Sequence, residues 1–303
     1  MSSGDAPAAA RRKVRLAIKD ARSRKGDTQS QVAEAMEWSL SKVMRIESGE
    51  VTISANDLRP LLSYLGIKDR DTVEDLIQAA KASKRQRKQW WDDRRYQDML
   101  TPALRQLISF EAEATVIRSF APAAIPGWLQ TEAYALAVTS GFVGDLTDDE
   151  IRTRAEIRTA RWKALRDRAP RPKLFALFDE SVLLRRYGGA EALGEALSAV
   201  SSAIAEGWLN VRLHPLSSPY PPFGQYDLLY LSSEDNSHAV LYRESYTIDE
   251  IVDDSVRIAR HREGWDRMWD ASIGEVESAR RIAAAAKAPA TADFWPADEG
   301  SSA

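Results

Sequence analysis

Residues 28–49, TQSQVAEAMEWSLSKVMRIESG, leave the chain little choice but two short helices joined by a tight turn. Thr28 can cap the first helix and puts Gln29 in its first turn, while Val32, Ala33 and Met36 recur at the spacing of one inward stripe. Glu37 and Trp38 make the turn. Ser39 then caps a second helix whose Val43 and Ile46 face back onto the first, so Leu40, Ser41, Lys42, Met44 and Arg45 point outward. Gly49 supplies a left-handed stop. Any two amphipathic helices with a short connection give this pattern, and so does the geometry in which a recognition helix enters the major groove of DNA.

The wording of the stretch narrows the choice. Gln29 opens the first helix, Ala33 sits in its middle, and Ile46-Glu47-Ser48-Gly49 closes the second. In these features the segment resembles the lambda-repressor-like, or XRE, family of DNA-binding domains. The resemblance implies that Gln29 lies against a phosphate or base edge and that Leu40, Ser41, Lys42 and Arg45 lie nearest the groove, with Ser39 at the start of the reading helix. Two positions depart from the family's pattern. Glu37 stands where a glycine is usual, which asks a non-glycine residue to make the turn, and Asp27 stands where an apolar residue is usual.

At 303 residues the chain is far longer than the 60 to 80 or so residues such a module needs, so about two domains are expected. There is no cysteine, which excludes disulfides, thiolate metal sites and cysteine nucleophiles and is compatible with a reducing cytoplasm. No apolar run approaches the ~20 residues needed to span a bilayer, and MSSGDAPAAARRKVR lacks the apolar stretch of a signal peptide, so a soluble cytoplasmic protein without membrane contact is expected. The formal net charge of −3 conceals an asymmetry. Residues 1–95 hold 20 Lys plus Arg against 14 Asp plus Glu, and the remainder holds 22 against 31. A basic amino-terminal part joined to an acidic remainder suits a DNA reader attached to a domain that stays off DNA. Positive residues cluster in RRKVR (11–15) and KASKRQRK (81–88), and although such runs are usually solvated helix faces, their place beside the motif makes Arg11, Arg12 and Lys13 candidate phosphate contacts.

The apolar periodicity divides the chain further. Residues 1–13 read as a disordered small-residue tail, and residues 14–85 as an all-α domain of five helices. In that domain Val14, Ile18 and Ala21 face inward on the first helix, Ser54 caps a fourth kinked at Pro60, and a fifth begins at Asp71. Residues 86–95 form a linker. Trp90 and Trp91 could stack on nucleic-acid bases, but docking of the basic helix is the stronger reading. Residues 96–286 alternate helix and strand in the manner of an α+β domain. Strands are expected at ATVIRSFAP, KLFALFDE (173–180), LNVRLHP (209–215), QYDLLYLSS (225–233) and HAVLYRES (238–245), and helices at Leu104 to Phe110, in the segment ending at Gly141, and at Asp148 to Arg168, Ala190 to Glu206, Asp249 to Trp269 and Ile273 to Ala286. Residues 287–303 read as a second tail.

The segments FEAEATVIRSFAPAAIPGWLQTEAYA (110–135), FDESVLLRRYGG (178–189) and NVRLHPLSS (210–218), with the tryptophan pair before them, are similar in content and order to the carboxy-terminal domain of actinobacterial XRE regulators of the WhiJ type, often described as antitoxin-like. That resemblance implies a transcription regulator of filamentous actinobacteria encoded beside a small partner protein that it binds. Catalytic patterns are weak. His214, His238 and His261 lack metal-ligand spacing and read as surface residues, Gly-rich phosphate loops are absent, and Asp179-Glu180 more simply starts the next helix. No catalytic residue, metal or cofactor is therefore expected, and an enzyme stands third among the readings. The loop SSPYPPFGQY (217–226) could wall a pocket for a small-molecule effector, meet a protein partner or serve as a stiff connection, with Tyr220, Phe223 and Tyr226 as the candidate residues. The expected function is sequence-specific regulation of transcription on double-stranded DNA by a homodimer, its second domain mediating dimerisation and response to a small protein or ligand. The alternative is an antitoxin-like protein that neutralises a small partner and autoregulates its operon.

Overall fold

The computed structural model describes residues 7–84, 88–142, 146–222, 224–231, 239–245 and 248–287. The chain divides into two compact units between Asp92 and Asp93, inside the expected linker 86–95, whose described part holds a 3-10 turn at Trp90–Asp92.

The first unit contains α1 (Pro7–Lys25), α2 (Gln29–Ala35), α3 (Leu40–Ser48), α4 (Ala55–Tyr64) and α5 (Arg70–Ser83). Its core is assembled from one stripe of each. Val14, Ile18 and Ala21 of α1 meet Val32 and Ala33 of α2, Val43 and Ile46 of α3, Leu58, Leu61 and Leu62 of α4, and Leu76, Ile77 and Ala80 of α5. Each large side chain withdrawn in this way contributes about 1.5–3 kcal/mol. The expectation of a disordered tail through residue 13 is corrected from residue 7 onward. Pro7 stands at the helix start, where its missing N–H costs nothing, alanine is the strongest helix former, and Ala8 and Ala10 are buried. Small residues that suggested a tail thus form the first turn of α1. α4 runs through Pro60 as one helix, with Ser54 accepting the N–H of Asp57 at its start.

Three of these helices end by one device. At the ends of α1, α2 and α4 a residue with positive φ is followed by an N–H that reaches back five residues: Asp27 to Arg22, Trp38 to Ala33 and Ile67 to Leu62. Two of the positive-φ residues are Gly26 and Gly66, as this closure favours. The third is Glu37, at φ +54°. The motif's missing glycine therefore leaves the turn intact and places an ordinary side chain in the left-handed region.

The second unit is built on a six-stranded mixed sheet in the order β3-β2-β1-β4-β5-β6. The strands are β1 (Val116–Ala121), β2 (Lys173–Asp179), β3 (Leu209–His214), β4 (Gln225–Tyr230), β5 (Ala239–Glu244) and β6 (Asp249–Val252). β1, β2 and β3 are parallel, with Ser119 opposite Ala176 and Ala176 opposite Val211, while β4, β5 and β6 are antiparallel. The helices are α6 (Arg94–Gln97), α7 (Pro102–Glu111), α8 (Glu132–Phe142), α9 (Asp148–Asp167), α10 (Gly189–Ala205), α11 (Ser255–Asp270) and α12 (Glu275–Lys287). α8 and α9 lie between β1 and β2, and α10 between β2 and β3, as parallel neighbours require. Ile258, Trp265 and Met268 of α11 pack on Phe120, Leu177, Tyr226, Leu228 and Tyr230. The alternate residues Ile117, Ala176, Phe178, Leu229 and Val240 are buried too, so both faces are covered. The expected helix from Asp249 is corrected: residues 249–252 pair with β5, and the helix starts at Ser255, where Asp254 accepts the N–H of Arg257. The ladder to β5 overrides a sequence that also suits a helical turn.

A polar network runs beneath the sheet. Arg161 of α9 donates two hydrogen bonds to the buried Glu111 of α7, at 2.9 and 2.5 Å. Trp128 donates its indole N–H to Ser119 at 2.9 Å, and Ser119 donates in turn to Asp227. Burial pushes the Asp227 carboxyl up to about 7; Ser119 and Arg161 oppose that shift, and the negative charges of Glu111 and Glu244 add to it.

Two outcomes are expected. Glu37→Gly relieves a left-handed side chain at a position glycine occupies freely, and raises stability by about 1 kcal/mol in denaturant titration; a loss of stability would mean that the side chain earns its place by a contact. For Asp227, an unfolded carboxyl ionises near pH ~4 while the folded one holds its proton to about 7, so this group makes the fold less stable as pH rises through that window. Asp227→Asn should gain on the parent between pH 4 and pH 8. Parallel stability profiles for the two proteins would contradict the assignment.

Candidate nucleic-acid interface

The helix pair at residues 29–48 is held by caps and by one buried carboxylate. Thr28 accepts the N–H of Gln31 at 3.2 Å while the Gln31 side chain accepts the N–H of Thr28 at 2.8 Å, closing a reciprocal box at the start of α2. Ser39 accepts the N–H of Lys42 at the start of α3, and Gly49, at φ +83°, ends it. Glu47, four per cent exposed at its side chain, lies on the inward side of α3. There it accepts Arg22 Nε at 2.6 Å and Nη2 at 2.9 Å from α1, and Gln29 Nε2 at 2.8 Å from α2. One side chain thus ties three helices. Arg22 also donates to the Asp27 carbonyl at 2.8 Å.

This geometry locates each candidate residue. Leu40, Ser41, Met44 and Arg45 are exposed together on the outward side of α3. Lys42 is only half exposed: its ammonium sits 3.8 Å from the centre of the Trp38 ring and 3.2 Å from Asp57. Arg45 Nε lies 3.5 Å from Glu50. Exposed pairs of this kind are worth about 0–1 kcal/mol, so both cations can be released to a phosphate or base. Gln29 is half-buried and its amide nitrogen serves Glu47, which makes it a brace for α3. Ser39 is occupied as a cap.

The basic run on α1 is not gathered with them. Arg12 is buried, Arg11 half-buried, and Lys13 pairs with Asp75 of α5 at 2.8 Å. These residues brace α1 as well as charging it. Part of the second basic run, residues 85–87, lies outside the described residues. Trp91 is buried and meets Trp90 edge to face at 5.5 Å, which removes it from any stacking platform for bases. Asp27 has a structural reason to be polar: it accepts Lys25 Nζ at 2.7 Å and the Tyr64 hydroxyl at 2.8 Å, and these partners hold its carboxyl below the usual range.

In the second unit the candidates separate. Tyr226 is not a loop residue open to a partner; it is in β4, buried against Phe120 and α11. Its side chain falls on the core face because β4 alternates from that residue. Tyr220 is exposed, while its carbonyl lies 2.8 Å from Nε2 of His214, which ties the loop to the end of β3. Phe223 lies outside the described residues, as does His238. His214 is buried, contrary to its reading as a surface residue, because it faces the core from the last position of β3, edge-on to Phe120. His261 is half-buried on α11 and edge-on to Tyr226. Asp179 accepts the Ser181 N–H, and Glu180 accepts the Leu216 N–H at 2.9 Å and pairs with Arg281 at 2.6 Å, so both carboxylates are spent on structure. No cluster of His, Cys, Asp and Glu suited to a metal occurs among the described residues, and none of their helices is long and apolar enough to cross a membrane.

Periodicity missed the Arg22–Glu47–Gln29 tie, since nothing in it links residues 25 positions apart. The usable signal was a charged residue set between Ile46 and the helix-ending Gly49. Glu47→Ala should leave Arg22 and Gln29 without their shared acceptor and cost the first unit about 3 kcal/mol. Hydrogen exchange of α2 and α3 amides in the intact chain reads that loss; unchanged exchange would show the tie to be dispensable.

Two family models match the chain. Residues 16–76 match a helix-turn-helix domain, and residues 104–284 match a domain of unknown function, DUF5753. No curated protein and no solved structure matches it. The helix-turn-helix match runs from the middle of α1 to the middle of α5, and the DUF5753 match runs from α7 to α12 through the whole sheet. With more than half of its length in that second match, the chain belongs to the DUF5753 family and carries a helix-turn-helix domain ahead of it.

Proposed function

We propose that this protein is a sequence-selective DNA-binding regulator of transcription and has no catalytic activity. The observation that carries the reading is the state of α3: capped at both ends, tied inward through Glu47, and exposing Leu40, Ser41, Met44 and Arg45 on one side. A helix fixed on its inner side and open on its outer side is what groove reading requires. The positive balance of residues 1–95 supports it, since phosphate attraction supplies the sequence-independent share of binding.

One recognition helix reads only about four or five base pairs of groove, and a two-fold pair of subunits doubles the site, so we assign a homodimer as the working form. The second domain is the natural place for a response to a small protein partner or ligand. In its favour stand the exposed Leu216 and Tyr220 in the segment after β3. An antitoxin-like role, in which that partner is neutralised, is the corresponding finer reading and is tested by mass spectrometry of proteins retained on the full chain from the native cell.

Selection of random duplexes on the intact protein should enrich one motif with two-fold symmetry. Against that motif Arg45→Ala should cost roughly 1–3 kcal/mol if the guanidinium reaches a base, with the fold unchanged. Lys13→Ala should leave the slope of log affinity against log salt within about 0.9, the share of one phosphate contact. No enriched motif, or an Arg45→Ala variant that binds as tightly as the parent at the same salt, would remove α3 as the reader.

A further inference from the structure

The outward side of α3 carries two open apolar side chains. Leu40 and Met44 are 43% and 50% exposed, and their four-residue spacing puts them on one stripe of the helix. The cations beside them are turned to protein partners, Lys42 to Trp38 and Asp57 and Arg45 to Glu50. Those exposed pairs can open to a phosphate or base, whereas Leu40 and Met44, open beside them, have no hydrogen-bonding group to offer.

The major groove presents one apolar feature to such residues. It is the C5-methyl group of thymine; the other groups on its floor are hydrogen-bond donors and acceptors. A methyl-sized group transferred from water to an apolar contact changes an equilibrium by about three- to fivefold. Residues four apart on a helix are about 6 Å apart, which spans one to two base-pair steps of ~3.4 Å. Ser41, between them, is small enough to let the helix approach and can pair with either a donor or an acceptor. Resting on the DNA-reading function proposed above, we infer that Leu40 and Met44 read thymine methyl groups, so that the preferred duplex carries two thymines one or two steps apart beneath α3.

The test uses the full chain and the duplex it selects. Each thymine is replaced in turn by deoxyuridine, which removes the methyl group and leaves every hydrogen-bonding group in place. Affinity should fall about three- to fivefold at two positions within each half-site and stay unchanged elsewhere. Leu40→Ala should abolish the thymine-over-uracil preference at one of these positions and Met44→Ala at the other, with unaltered melting temperatures. If every deoxyuridine duplex binds like the parent, or the selected half-site has no thymine in the groove facing α3, the methyl-reading inference is wrong while DNA recognition stands. If both alanine variants keep the full preference, other residues read the methyl groups. If no duplex is enriched, the regulatory function falls and this inference falls with it.

Discussion

A carboxylate in the interior of a small helical domain is costly unless its oxygens are fully engaged, and Glu47 meets that condition with a bidentate arginine and an amide. The consequence reaches the other side of the same helix. Because Arg22 and Gln29 come from α1 and α2, the inward side of α3 is fixed in rotation and in depth, and its outward side is fixed with it. Groove reading tolerates little slack, since a bidentate base contact depends on positions held to a fraction of an ångström. An apolar residue at Glu47 could fill the volume, but it could not set the orientation of three helices at once.

The second unit meets a comparable constraint differently. Its sheet is covered on both faces, and Glu111, Arg161, Ser119 and Asp227 form chains of hydrogen bonds in its interior. Among the described residues Asp227 receives only Ser119 as a hydrogen-bond donor, and burial dominates its ionisation. Burial thus holds this carboxyl up, whereas the helical unit has carboxylates lowered by strong partners, such as Asp27.

How much of this the sequence disclosed depended on the range of the interactions. The caps at Thr28, Ser39 and Ser54, the inward stripes of α1 to α5 and the left-handed stop at Gly49 are local, and each could be read from residues within a turn or two of one another. Five strands were legible from their apolar runs, but β6 was not, because four residues with two acidic side chains become a strand only when β5 is beside them. Alanine at residues 8–10 misled for a similar reason: small residues suit a tail and a packed helix equally until their burial is known. The candidate site divides in the same way. Leu40, Ser41 and Arg45 face outward as helical spacing implies, while Gln29, Arg12 and Tyr226 proved to have partners inside the protein that no periodicity reveals.

The measurement nearest to the central claim is photo-cross-linking from a single position. A photoreactive side chain introduced at Ser41 in the full chain, bound to its selected duplex, should cross-link to a base in the major groove of each half-site. The same group at Lys13 should give little or no base cross-link. Cross-links from Lys13 with none from Ser41 would contradict the assignment of α3 as the helix that reads DNA.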